Sequence, residues 1–299
     1  MMKLRRFLRN LAKYGLLFNI LFISSLAAAG CTISTHPTYP KETIGRAIED
    51  ICKQEYKVDI KVRLVGSTLC VYLPIAEGIL EKSDKPQKVI ERFIIEKNQI
   101  ELANNALLAR YLVRPIPEEE KFQDMKYSKA AFEKINNVWK ALRRVIFSME
   151  SPEQNSPKFF SIIAADIKNG FFVKETFYYL DFKKVSYGLI SWGEYQHRAI
   201  QETEVSPGII GDLSGSSIEY RDIAFNDFIL EQIQHRIKLK FQKPEAEKNA
   251  DIDKEILKII RYTLDTYAFR DFVTLELDNL ATDKKIVFNQ AAAISRSND

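Results

Sequence analysis

The sequence predicts an α+β fold of antiparallel β-hairpins, each preceded by a helix that packs on it. Three observations carry that prediction. Apolar residues recur at helical spacing in three separate stretches, each stretch is followed by runs of alternating apolar and polar residues, and turn residues sit where those runs would fold back. Helix, strand, strand thus occurs three times with a shared pattern and little shared identity. A threefold internal repeat is one reading, and the ordinary alternation of an α+β protein is the other.

The chain opens on Lys3, Arg5, Arg6, Arg9 and Lys13, with no acid among its first thirty residues, and then runs apolar from Leu16 to Ala29. A basic start, a short apolar core and small residues before a cut form the layout of a secretory signal, and the apolar run is shorter than the roughly 20 residues of a spanning helix. Ala28-Ala29-Gly30-Cys31 resembles the lipobox of bacterial lipoproteins, with Ala28 standing where Leu is usual. The resemblance covers the first thirty-one residues. It implies cleavage between Gly30 and Cys31, a diacylglyceryl group on the Cys31 thiol, and a protein tethered to the membrane through that lipid. Thr32 lacks the Asp that retains many lipoproteins in the inner membrane, so the resemblance further implies an outer-membrane anchor facing the periplasm. The alternative is a plain signal cut after Ala27-Ala28-Ala29 that leaves Cys31 a free thiol. The domains expected are therefore a signal (1–30), a tether rich in Thr, Ser and Pro (31–40), a helix-hairpin module (41–120) and a C-terminal α+β domain (121–299) with a helical insertion at about 178–247.

The signal carries the basic excess of the chain. The full sequence has 44 Lys and Arg against 40 Asp and Glu. Without the five basic residues of the signal the balance is 39 against 40, and a nucleic-acid partner loses its electrostatic basis. Short basic runs such as ALRRVIF and HRIKLKFQK read as solvated helix faces.

After the tether, Ile44, Ala47, Ile48, Ile51 and Cys52 form one helical stripe, which makes Cys52 a small core residue. Val58, Ile60, Val62 and Leu64 then alternate with charged residues, and Gly66-Ser67 suits a two-residue hairpin turn with Gly first. Folding there sets Leu64 opposite Leu69, Val62 opposite Val71, Ile60 opposite Leu73 and Val58 opposite Ile75, all on one face. Cys70 and Tyr72 fall on the other, wet face, which points Cys52 and Cys70 to opposite sides of the sheet; two free thiols are the expectation and a 52–70 bridge the alternative. Lys85 to Arg114 fits strand or helix equally, and RPIPEEE reads as a linker or turn.

The second unit has Ala131, Ile135, Val138, Leu142, Val145 and Ile146 at helical spacing, then two strands around Asn169-Gly170. Ser191 and Glu194 form a capping box before YQHRAI, and Phe225, Ile229, Ile233 and Ile237 mark a longer helix. The third unit places Ile252, Ile256, Ile259, Ile260, Thr263 and Tyr267 on a helix face, followed by strands joined near Asp278 to Asp283.

No catalytic motif emerges. His36 lies in the tether, while His197 and His235 sit two positions from Tyr195 and Ile233 and so turn away from their helix stripes, as solvated residues. The tripeptide QHR occurs at 196–198 and again at 234–236, but lacks metal-ligand spacing. Ser214 in GIIGDLSGSSIEY lacks the Gly two residues before it that a nucleophile elbow requires, so the stretch reads as a flexible surface loop. Glu118, Glu119 and Glu120 read as a solvated run, and the aspartates of NADIDKE lack the Gly and terminal Glu of a calcium loop. No catalytic residue, metal or cofactor is indicated. The reading is a lipid-anchored envelope protein with a non-catalytic structural or assembly role, its partners being the membrane, through Cys31, and other envelope proteins. Two alternatives stand beside it: an enzyme without a recognisable motif, and a carrier of a lipid or other apolar ligand lined by Phe159, Phe160, Phe171, Phe172, Phe177, Tyr178 and Tyr179.

Overall fold

The structure, a computed structural model, describes residues 39–149, 157–242, 246–247 and 249–294. The expected signal, Gly30, Cys31, His36 and the tether as far as Thr38 lie outside the described residues. Tyr39 already bridges to Met149, and Pro40 caps the first helix. Among the described residues no helix is long and apolar enough to cross a membrane.

Helix α1 (Lys41–Tyr56) buries Ile44, Ile48, Ile51 and Cys52, and it ends at Lys57 in the left-handed region. The chain then makes the hairpin β1 (Lys61–Val65) and β2 (Thr68–Ile75), with Leu64 opposite Leu69 and Val62 opposite Val71 as expected, while the expected pairs of Ile60 and Val58 lie outside the ladder because β1 begins at Lys61. Gly66 alone of the two turn residues has positive φ, +58°, the pattern of a turn with Gly first. A Cβ on Gly66 would lie 2.0 Å from Asp222 Oδ2. Asp222 Oδ1 in turn accepts from Ser67 N (2.8 Å), Ser67 Oγ (3.1 Å) and Thr68 Oγ1 (3.1 Å). Gly66→Ala therefore strains the backbone and displaces a carboxylate with three local donors. The expected loss is about 1–3 kcal/mol in urea unfolding, less when Asp222→Ala is already present.

The ambiguous stretch after β2 is strand throughout. Strand β3 (Leu80–Ala103) and strand β4 (Ala106–Tyr127) form one long antiparallel ribbon that turns through Asn104 and Asn105, both at positive φ. RPIPEEE is part of β4 and not a linker. Its prolines are accommodated at a break in register, where the partner of Glu91 is Glu119 but that of Phe93 is Pro115. Near the turn, β4 buries alternate residues from Leu107 to Val113, whereas from Glu118 to Tyr127 it is exposed throughout. The three glutamates there are ion-paired and solvated: Glu118 with Arg92 at 2.7 Å, Glu119 with Lys121 at 3.8 Å and Glu120 with Lys88 at 2.5 Å.

Helix α2 (Lys129–Phe147) follows, capped by Ser128 Oγ, which accepts from Ala131 N at 3.2 Å. Then come β5 (Phe159–Asp166), β6 (Phe171–Tyr178), α3 (Tyr179–Ser186), α4 (Trp192–Arg198), β7 (Ile200–Val205) and a 3-10 turn (Pro207–Ile209). Helix α5 (Phe225–Gln242), helix α6 (Ile252–Thr266), β8 (Thr274–Asn279), β9 (Lys284–Asn289) and α7 (Gln290–Ile294) complete the order. The stretch expected to be mainly helical thus also holds β7, which adds to β6 as a new sheet edge.

Two mixed sheets result, in the orders β1-β2-β5-β6-β7 and β3-β4-β8-β9. In each, two antiparallel hairpins meet through a central parallel pair, β2 with β5 and β4 with β8. The first two helix-hairpin units share the first sheet, while the third pairs with the β3-β4 ribbon. Helices α1 and α2 cover one face of the first sheet over a core that includes Leu69, Val71, Leu73, Phe160 and Phe177.

The other face of that sheet, expected to be wet, is covered. Tyr72, Ile163, Ala165, Ile167 and Phe172 pack there with Ile209, Ile218 and Tyr220 from the GIIGDLSGSSIEY stretch. That stretch is fastened rather than loose. Asp212 accepts from Ser214 N (2.9 Å), Ser214 Oγ (2.8 Å), Gly215 N (2.9 Å) and Ser217 N (2.8 Å), while its carbonyl accepts from Tyr72 OH at 2.6 Å. Burial works to raise the Asp212 carboxyl, but these donors outweigh it and hold the group well below the usual carboxylate range. The amides that would cradle a ligand anion are thus occupied by the loop's own carboxylate. The second sheet buries one face only, over a core that includes Phe228, Ile233, Ile237, Ile256 and Ile260 of α5 and α6.

Candidate binding site around helix α5

Helix α5 carries more than the single apolar stripe its sequence shows. Phe228, Ile229, Ile233, Ile237 and Phe241 face the core of the second sheet. Gln232 and Arg236 turn toward α4 and α6, and Glu231, Gln234, His235 and Lys238 turn toward strands β3 and β7. His235 is therefore 9% exposed, not solvated as expected, because elements pack on α5 from several sides.

On the α4 and α6 side the two QHR tripeptides do converge. Glu194 Oε1 accepts from Arg198 Nε (2.7 Å), Arg236 NH2 (3.1 Å) and Tyr262 OH (2.8 Å). Arg198 NH1 also donates to the buried Asp181 Oδ1 at 2.7 Å, and Tyr267 OH donates to Asp181 Oδ2 at 2.7 Å. Gln232 closes the network by donating to the Arg198 carbonyl and accepting from Arg236 Nε at 3.3 Å. Burial works to raise Glu194, but these cation and hydroxyl donors outweigh it and leave its carboxyl lowered. Ser191 Oγ caps α4 as expected, accepting from Glu194 N at 3.0 Å, while the Glu194 side chain is held by Arg198, Arg236 and Tyr262. The network ties α3, α4, α5 and α6 together and is structural in design. Above it opens a cleft of about 390 Å³ lined by His197, Arg236, Lys240, Lys258, Ile259 and Tyr262 among others. Lys240 and Lys258 both pair with Glu255 there, at 3.0 and 2.9 Å.

On the other side lies a groove of about 350 Å³ between β3 and β7, with α5 as its floor. Its walls come from Ile95, Glu96, Lys97 and Asn98 on β3 and from Ile200, Gln201 and Glu202 on β7. His197 and His235 thus line different clefts. Burial, reinforced by Lys238, Arg236 and His197, holds the His235 imidazole down to about 4, so it is neutral at pH 7. Asn98 Nδ2 donates to the Gln234 carbonyl at 2.8 Å, while its buried Oδ1 has no hydrogen-bond partner among the described residues.

The remaining candidates have structural duties. Among the described residues no group of three or more His, Cys, Asp or Glu could hold a metal ion. Asp251 caps α6, and Asp253 accepts from Tyr111 OH (2.7 Å), Asn279 Nδ2 (2.6 Å) and Lys284 Nζ (3.2 Å). Cys52 and Cys70 are free and buried, and burial pushes their thiols up to about 12 and about 11, away from reactive thiolates. The seven aromatic residues proposed for a carrier lie in different cores. Phe160 and Phe177 sit under α2, Phe159 packs at a tilt against Phe228 of α5, and Phe172 packs under the 206–220 segment. None of them lines either of the two clefts beside α5. No known protein family, curated protein or solved structure matches the chain.

One half-buried acid lies outside these networks. Burial pushes the Glu175 carboxyl up to about 7, with only a 3.4 Å hydrogen bond from Gln201 opposing it. Its folded value is above its unfolded one, so its contribution to stability is full below about 4.5 and is lost as pH rises through about 7. Glu175→Gln should remove that slope. Relative to the variant, the native protein should lose roughly 1–3 kcal/mol between pH 4.5 and 7.5 in urea titrations.

Proposed function

We propose that this protein is a lipid-anchored component of the bacterial envelope that acts without catalysis, by holding other envelope proteins. In this reading Cys31 carries the diacylglyceryl group and residues 31–38 tether the folded part to the outer membrane on its periplasmic side. The observation that supports it best is the open half of the β3-β4 ribbon, Leu80–Arg92 against Pro115–Tyr127. This length is largely exposed on both faces and ends in Phe122, Met125 and Tyr127, with Phe122 at 66% exposure. An unsupported two-stranded ribbon is marginal in water, and exposed aromatic residues on strand edges fit docking to another chain. The three helix-hairpin units enter the proposal as repeats of one module, since the outer strands β1 and β9 of the first and third are sheet edges and only the second is extended, by β7.

The test has two parts. Intact mass of the protein extracted from membranes should begin at Cys31 with a diacylglyceryl group added. A photo-crosslinker placed at Phe122 should capture a discrete envelope protein in intact cells. An unmodified Cys31 would remove the anchor, and a ribbon that captures nothing would remove the assembly role.

A further inference from the structure

We infer that the groove between β3 and β7 receives an extended acidic peptide segment of a partner protein, which enters as an added strand. This rests on reading the protein as a binding component and assigns the partner's place on it. Both walls of the groove are sheet edges, β3 being the outer strand of the second sheet and β7 that of the first. Each edge carries a row of backbone N–H and C=O groups without a ladder, and a single extended chain between them satisfies both rows. The neighbouring Ile100 carbonyl is already taken by Gln234 Nε2, at 3.3 Å, which marks where the open row stops.

The side chains in the groove name the chemistry. Asn98 Oδ1 is buried without a donor among the described residues, and His235 lines the same groove. Buried polar groups in this condition are costly, and a peptide N–H supplies what Asn98 lacks. The three acids of the lining are each neutralised from outside it, Glu96 by Arg114, Glu202 by Lys174 at 2.5 Å and Glu231 by Arg221 at 2.8 Å. Lys97 and Lys238, both exposed, have no ion-pair partner among the described residues. The unmatched charge of the groove is therefore positive, and the segment that complements it is acidic.

The probe is a capped, fluorescent hexapeptide alternating Val and Glu, compared with one alternating Val and Lys, both offered to the full chain in detergent. The acidic probe should bind about tenfold or more tightly than the basic one by fluorescence anisotropy, and Lys97→Glu with Lys238→Glu should reverse that preference. Reversing the exposed Lys61 of β1 instead should leave it unchanged. Backbone hydrogen exchange should slow in both 95–98 and 200–202 when the acidic probe is bound. Absence of binding, equal binding of the two probes, or protection of one edge only would overturn the inference. So would a dimer that dissociates in the doubly reversed variant, since a second copy would then fill the groove. If the ribbon crosslink captures a partner while the acidic probe fails, the assembly role stands and this site falls; the opposite result removes the ribbon and keeps the groove.

Discussion

Arg198→Ala is expected to destabilise the protein by about 3–5 kcal/mol, the largest effect of any single substitution proposed for this chain. The guanidinium and Asp181 are both nearly inaccessible, and Arg198 supplies the cation that Asp181 Oδ1 meets at 2.7 Å. Truncation leaves the carboxylate buried with Tyr267 OH as its close donor, and it removes one of the three donors to Glu194. Most of the cost is the stranded charge and not the lost pair, because a buried ion pair roughly offsets its own desolvation. Arg198→Ala with Asp181→Ala should therefore recover a large part of the loss. Urea unfolding of the two single variants and the double variant measures this, and additive losses would show that the pair is not coupled. The damage should also spread, since α3, α4, α5 and α6 meet in this network.

Asp166→Ala should cost about 2–4 kcal/mol. Asp166 is fully buried at the end of β5, and its two oxygens accept from Ile79 N (2.7 Å), Asn169 N (2.9 Å), Asn169 Nδ2 (3.0 Å) and Lys168 N (3.2 Å). Three of these contacts shape the β5-β6 turn, and the fourth fixes the chain at the entrance to the long ribbon. Alanine leaves the buried Ile79 N–H unpaired, whereas asparagine keeps the shape and one acceptor oxygen and should lose about half as much. Burial works to raise this carboxyl, but its donors outweigh it and hold it below the usual aspartate value. Its contribution to stability is present above about pH 4 and is lost as pH falls through the lowered folded value, so the variant and native protein should converge in acid. Equal losses at pH 3 and pH 7 would count against the charged form as the source.

Local pattern carried much of the fold. The α1 stripe, the β1-β2 register, the Ser191 cap, and the α2 and α6 helices with the hairpins after them follow from residues close in sequence, where period and turn chemistry agree. The β3-β4 ribbon was not legible, because residues 85–114 carry apolar character without a decisive period and the two prolines of RPIPEEE mimic a break. Only pairing with β3, and the register shift opposite Glu91 and Phe93, makes that segment a strand. The burial of Tyr72 and Cys70 was equally hidden, since alternation reports that one face of a hairpin is apolar and says nothing of a cover contributed about 140 residues later, such as the one that accepts from Tyr72 OH.

The candidate site lay still further from the sequence. The repeated QHR tripeptide was visible as text, but a shared acceptor for Arg198 and Arg236 exists only because α4 and α5 pack on the same carboxylate of Glu194. Periodicity places His235 off the apolar stripe of α5, and it is buried because β3, β7 and α4 surround that helix on faces the stripe does not mark. By itself the sequence determined the three helix-hairpin units and the local turns, which depend on neighbours within a few residues. The tertiary structure alone decided which hairpins share a sheet and which strands are left as edges. It also decided that two of those edges face each other across α5, because backbone edges, buried charges and their partners are set by chain segments that meet only when the whole core closes.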